Sequence, residues 1–329
     1  MNSSGSLSAS RTGLLVCAML AISSAGCSTI SVQTPALAPQ VAHHQHLISP
    51  AFAPIVQQEP FDATSLLRML DDAGTRQSVV LSMAYSFADE RKKLANPEAL
   101  VRAENDWTAS QVARSPRRIR GFCSVNPLTP YALQEIQRCN NLPGMRGLKL
   151  HLANSGVSLR NSAHATRMEE VFKLANKLRI PIVVHLRSRS GSAYGAEDAR
   201  LFIDKLLPHA RDITVQIAHL AGAGPGHPAD ADASLAVFAE AIGRGDARTR
   251  KLIFDVTTVA SSGADRREAA LVAKRLRQLG LHRIVFGSDM AIGTNPPLAE
   301  SWQVFRKMVP LTIAEFNRIA TNKAPYLRD

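Results

Sequence analysis

From about residue 40 onward, short apolar runs alternate with longer stretches whose apolar residues recur at helical spacing. The runs fall near 40–46, 78–83, 119–123, 145–151, 182–185, 213–219, 252–256 and 284–287, and they predict eight strands. Amphipathic stretches at 63–70, 97–113, 165–178, 196–206, 231–242 and 266–279 predict helices between them. A strand followed by a helix and a further strand implies a parallel neighbour, because parallel pairing needs a crossover. Eight such units predict one closed (β/α)8 TIM barrel. The alternative, an open doubly wound sheet, lacks its usual marks. No G-x-G-x-x-G loop follows the first strand, no P-loop is present, and Gly222, Gly224 and Gly226 have the wrong spacing for either.

Composition narrows the class further. The 329 residues are 45% hydrophobic and 20% charged, which excludes a mainly disordered, collagen-like or multi-span membrane chain. Lys and Arg number 39 against 27 Asp and Glu, a formal net charge of +12. The isoelectric point near 10.0 raises the question of nucleic acid. Basic residues, however, come in small groups such as Arg117, Arg118 and Arg120 or Arg267, Arg275 and Arg277, aromatic residues make up 5%, and no zinc-finger or RNA-binding signature occurs. No nucleic-acid partner is expected. A basic cleft that gathers a small anionic substrate is the functional reading of the charge.

The N-terminus has its own pattern. Small polar residues at 1–10, Arg11 and an apolar run at 13–22 form a leader too short for an ordinary membrane span. Ser24-Ala25-Gly26-Cys27 follows and resembles a bacterial lipoprotein processing site, although Ser24 stands where such sites usually carry Leu. The resemblance implies cleavage before Cys27, lipid on its sulfur, and an exported, membrane-anchored location. Simple cleavage with a free Cys27 is the alternative. The expected organisation is a leader at 1–26, a tether at 27–38 and the barrel at 39–329. Cys17 is discarded with the leader. Cys123 and Cys139 are expected to be buried free thiols, although an oxidising compartment permits a bond between them.

In a (β/α)8 barrel the chemistry sits at the C-terminal ends of the strands. His44 and His46 end the first strand, Lys149 and His151 lie on the fourth, His185 ends the fifth, His219 the sixth, and Asp289 follows the eighth. Alternation puts His44 and His46 on one face and His43 and Gln45 on the other. Several imidazoles with a carboxylate suit zinc, with manganese or iron as alternatives. Asp289 is placed to take a proton from water activated by such an ion. Lys149 reads as a metal bridge after carbamylation, as a cation for substrate, or as a paired structural residue. Arg187 and Arg189 are candidates to hold a substrate carboxylate. Residues 85–96, with Arg91, Lys92 and Lys93, are placed to cover the mouth, and Phe87 and Trp302 are candidate apolar walls or ordinary packing.

These residues, in this order, resemble the amidohydrolase superfamily and in particular its amidohydrolase-2 branch of metal-dependent hydrolases and decarboxylases. The resemblance covers nearly everything after residue 40. It rests on His44-Gln45-His46, Gly147-Leu148-Lys149-Leu150-His151, Val183-Val184-His185, Ala218-His219, Gly287-Ser288-Asp289 and the closing Ile319-Ala320-Thr321-Asn322-Lys323-Ala324. It implies one metal, usually zinc, held by His44, His46, His185 and Asp289, with His219 as an acid/base or carbonyl-polarising residue. In a two-metal member His219 and Lys149 become ligands. Lys149, His151, Arg187 and Arg189 are the implied substrate contacts. Ala42 stands where the branch often carries Asp, which removes a carboxylate from behind the first metal histidine. The expected activity is attack of a metal-activated water on an amide, ester or lactone carbonyl of a small, anionic substrate. Decarboxylation of an aromatic or enol carboxylate is the alternative, and a non-catalytic ligand-binding lipoprotein a further one. The chain is compatible with a monomer or a homo-oligomer.

Overall fold

Eight strands pair in sequence order, every one parallel to the next, in a single sheet. They are β1 (Val41–Gln45), β2 (Gln77–Leu81), β3 (Ile119–Ser124), β4 (Met145–His151), β5 (Ile182–His185), β6 (Val215–Ile217), β7 (Leu252–Asp255) and β8 (Ile284–Val285). A computed structural model describes residues 37–189, 193–260 and 265–327. The predicted leader, Cys27 and most of the predicted tether lie outside the described residues. The seam between β8 and β1 is bridged by backbone bonds from His43 N to Phe286 O (2.7 Å), from Asp289 N to His44 O (3.0 Å) and from His46 N to Met290 O (2.6 Å). The result is the (β/α)8 TIM barrel that the alternating pattern predicts.

Among the described residues ten helices accompany the strands: α1 (Ala53–Val56), α2 (Ala63–Asp72), α3 (Pro97–Ala113), α4 (Ala132–Asn140), α5 (Ser162–Lys177), α6 (Ala196–Leu201), α7 (Ala229–Gly243), α8 (Arg266–Leu279), α9 (Leu298–Met308) and α10 (Ile313–Thr321). The apolar faces of α2, α3, α5, α7 and α8 bury Leu66, Val112, Phe172, Phe238 and Leu276 in one continuous core. Helix α4 has no counterpart among the predicted segments. Its buried positions are Ala132, Glu135, Ile136 and Cys139, so a glutamate interrupts the apolar stripe. Glu135 is tolerated there because Asn105 and Arg138 bond its carboxylate.

Cys123 on β3 and Cys139 on α4 form a disulfide, which corrects the expectation of two free thiols. The helix folds back over the strand it follows and brings the two Cα atoms to 6.1 Å, within bonding range. That proximity depends on the turn between the two elements, and sequence spacing does not reveal it.

The far end of the barrel is closed by the residues after α10. Asn322 Nδ2 donates to the carbonyls of Leu281 and Ile284, and Ala324 N donates to His43 Nε2. Tyr326 and Leu327 pack on Val41, Phe122 and Val183. Thus His43 faces the floor while His44 and His46 face the mouth.

Candidate metal centre

The C-terminal end of β1 places His44 and His46 side by side, with ring centroids 5.3 Å apart and both side chains buried. Gln45 turns away and exchanges hydrogen bonds with Ser288. Opposite the two histidines, the turn after β8 brings in Asp289 at a left-handed φ of 60°. Its Oδ1 lies 3.2 Å from His44 Nε2 and 3.1 Å from His46 Nε2, and Asn295 Nδ2 donates to its Oδ2.

His219 arrives from a turn rather than from a strand. β6 ends at Ile217, and His219, Leu220 and Ala221 all adopt positive φ. Asp255 at the end of β7 holds this bend, its Oδ1 accepting the His219 amide at 2.9 Å. The ring then lies 4.8 Å from His44 by centroid. Ligating atoms of His44, His219 and Asp289 all fall within 4.8 Å of one another.

The opposite edge of each ring identifies what the inner edge presents. His44 Nδ1 faces Asp255 Oδ2 at 3.1 Å, His46 Nδ1 faces the Leu81 carbonyl at 2.7 Å, and His219 Nδ1 faces the Thr257 carbonyl at 2.9 Å. All three partners only accept, so each Nδ1 carries a proton, and each ring, when neutral, has its lone pair at Nε2. In that form the Nε2 lone pairs of His44 and His46 both meet the Asp289 carboxylate, and Lys149 Nζ stands 3.3 Å from His44 Nε2. Such a group of acceptors attracts a cation, and the donor set fits a divalent metal. Burial and the surrounding cations push His219 the same way, and its pKa falls to about 4, despite Asp289 and Asp255. Burial alone pushes Asp289 up, but His44 and His46 hold its carboxyl well below the usual range.

Asp255 is the site residue that sequence reasoning missed. It is fully buried and joins four groups: His44 Nδ1, the His219 amide, Gln216 Nε2 at 2.7 Å and the Thr257 amide. A carboxylate behind His44 is therefore present, supplied from β7 rather than from position 42. A carboxylate next to the end of the apolar run predicted as a strand at 252–256 is the available signal.

The remaining candidates are distributed around this centre. Lys149 Nζ lies 3.3 Å from His44 Nε2, and burial lowers its pKa to about 8. His151 pairs in register with His185, and the two rings stack at 3.9 Å. His185 reaches the cluster through an edge contact with His219 at 5.2 Å, and its buried Nδ1 has no hydrogen-bond partner among the described residues. Tyr85 lies against His151 with its ring tilted by 39°, centroids 5.0 Å apart.

The two arginines are already engaged, Arg187 with Asp230 and Arg189 with Asp89 and the Asn154 carbonyl. Residues 84–92 form two short helical turns beside the mouth, where Phe87 packs on Phe52. Trp302 is remote from the centre, packed on Phe286 and Phe305.

Imidazoles and one carboxylate converge at the C-terminal mouth of a parallel barrel, a donor set that fits a divalent metal. A profile of the amidohydrolase family matches residues 41–321, and the chain belongs to that family. Among solved structures of similar fold are a decarboxylase, a probable hydrolase and a zinc-bound amidohydrolase. No curated protein matches the sequence. Similar folds occur in 5-carboxyvanillate decarboxylase LigW from Sphingomonas paucimobilis (TM-score 0.60, 14% identity, 87% of this chain and 97% of that one). A probable 2-pyrone-4,6-dicarboxylic acid hydrolase from Acinetobacter baumannii is also similar (0.56, 15%, 85% and 95%), as is an amidohydrolase from Burkholderia multivorans with bound zinc (0.57, 13%, 86% and 96%).

Proposed function

We propose that this chain is a metal-dependent hydrolase of small amides, esters or lactones. The observation that carries the reading is the convergence of His44 Nε2 and His46 Nε2 on Asp289 Oδ1, with His219 beside them and every Nδ1 committed elsewhere. His44, His46, His219 and Asp289 would hold one divalent ion, zinc by the donor chemistry, with His185 the next candidate ligand. When bound, the ion supplies Lewis acidity and makes water a nucleophile near neutral pH. Asp289 accepts the proton of the attacking water and passes it to the leaving group, while Asn295 fixes its second oxygen. His219 has its Nδ1–H on Thr257 and offers only a lone pair inward, so it is a ligand or a base rather than a donor to the carbonyl. The buried Lys149 ammonium takes the donor role and stabilises the developing oxyanion.

Decarboxylation of an aromatic carboxylate is the second reading, favoured by the rings of His151, His185 and Tyr85 grouped on the side of Lys149. Lys149 then pairs with the substrate carboxylate. Export, with lipid on Cys27, belongs to the same proposal, and the disulfide supports it because such bonds persist in oxidising compartments.

Elemental analysis of protein purified without added metal or chelator tests the centre. About one equivalent of transition metal per chain is expected, and His44→Ala with His46→Ala is expected to lose most of it. Full retention in the double variant removes the reading. Assays of aromatic carboxylates and lactones on the loaded protein then separate the two activities, carbon dioxide marking the lyase and a ring-opened acid the hydrolase.

A further inference from the structure

The net charge of this chain is concentrated on one end of the barrel. The connections that run from a helix into the next strand, with residues 322–327 after α10, contain thirteen Lys and Arg against three Asp. The connections from each strand to its following main helix, which form the mouth, contain six against six. The net +10 of the first set accounts for most of the +12 of the whole chain.

Helix C-termini also point to that end and attract cations, but one charge per helix satisfies the dipole. Here residues 114–118 hold three cations and residues 244–251 hold four. Local carboxylates pair with Arg114, Arg118, Arg179, Arg244 and Arg248. Arg76, Arg117, Arg211, Arg250, Lys251 and Arg283 form no ion pair among the described residues, and all but Arg283 are exposed. Between the starts of β7 and β8, a recess of about 290 Å³ is lined by Arg250, Lys251, His282, Arg283 and Lys323, with no carboxylate in its wall.

The chain enters the barrel at this same end, at Val41. Leu37 is fixed there by Asn317 and Trp302, and ten residue steps separate it from Cys27, at most about 35 Å of extended chain. A lipid on Cys27 would tether the end of the barrel at which Leu37 is fixed within about 35 Å of the membrane. No helix among the described residues is long and apolar enough to cross one.

We propose that the N-terminal end of the barrel is a docking surface for anionic phospholipid, with the recess beside Arg250 and Lys251 taking a phosphate headgroup. Each basic residue at a charged bilayer adds favourable energy, and the sum of several is enough for peripheral binding. The metal centre then opens away from the membrane, toward soluble substrate. The surface stands on charge and topology alone; only the orientation given by Cys27 rests on the lipoprotein reading.

The test uses residues 27–329 with Cys27→Ser, which retain the whole compact unit that begins at Ala36 and carry no lipid. Sedimentation with phosphatidylglycerol–phosphatidylcholine vesicles is compared with phosphatidylcholine alone. Binding is expected only to the anionic vesicles, with release between about 0.05 and about 0.5 M salt. Arg76→Glu, Arg117→Glu, Arg250→Glu and Lys251→Glu together are expected to lower partitioning about tenfold or more, while Lys92→Glu with Lys93→Glu at the mouth leaves it unchanged. Circular dichroism and metal content check that both variants remain folded. Absence of binding to anionic vesicles overturns the proposal, as does equal binding by the four-site variant. Tighter binding to RNA than to vesicles, lost in that variant, overturns it in favour of a nucleic-acid surface. Inorganic phosphate that displaces the protein at low millimolar concentration, without a matching effect of chloride, assigns the recess to free phosphate and overturns the headgroup assignment. Failure of lipidation at Cys27 leaves the vesicle result standing and removes only the tether.

Discussion

Asp255 shows how a single buried carboxylate organises chemistry that it does not perform. One oxygen fixes the His44 tautomer and the other pins the amide of His219 in a left-handed turn, so two inward lone pairs depend on one side chain. Asp255→Asn retains the shape but presents a donor on one side. It is expected to weaken zinc binding by about tenfold to a hundredfold, measured by chelator competition, with a small change in melting temperature. Unchanged affinity would separate Asp255 from the centre. Glu104 on α3 is a different kind of buried acid. Ser49 donates to one of its oxygens at 2.6 Å while the other has no partner, and burial raises its pKa to about 7 despite that bond. The folded chain therefore keeps a proton that the unfolded chain releases near the ordinary value of 4.5. The stabilisation is complete below that value and is lost as pH rises through about 7, on the order of 2–3 kcal/mol by pH 8. Glu104→Gln, which stays neutral, is expected to lack that fall. Parallel melting curves of both proteins from pH 5 to 8 check the sign.

Among the elements, the seam between β8 and β1 matters most to the centre, because His44 and Asp289 come from its two sides. Gly287 lies where a Cβ would stand 2.6 Å from His44 Cβ and 2.8 Å from the His44 amide nitrogen. Neither atom can yield without moving β1. Gly287→Ala is thus expected to cost about 2–4 kcal/mol in denaturant unfolding and to lower metal content, whereas a destabilised variant with full metal would show that the seam adjusts independently of the site. The strands themselves were legible because their apolar runs are bounded by polar turns. Helix α4 was not, since Glu135 occupies its buried stripe and only partners on α3 and α4 explain why a glutamate is stable there. The run predicted as a strand at 213–219 extends two residues beyond each end of β6, and at its C-terminal end the bend at His219 is imposed by Asp255 from the next strand.

Over the whole molecule, charge and chemistry lie at opposite ends of one barrel. The excess of basic residues suggests an anion-gathering cleft when only the composition is considered, yet the connections around the mouth carry equal numbers of both signs. Arg187 and Arg189 follow the same pattern, since Asp230 and Asp89 already neutralise them. What the sequence by itself determined was periodic or local: the eight βα units, the barrel they close, and the histidines and aspartate at strand ends. These follow from side-chain alternation and from the parallel crossover, which leave few alternatives. The tertiary structure alone decided the disulfide, the role of Asp255, the acceptor face of His219 and the separation of charge from site. Each depends on contacts between residues far apart in the chain, and such contacts leave no period in the sequence.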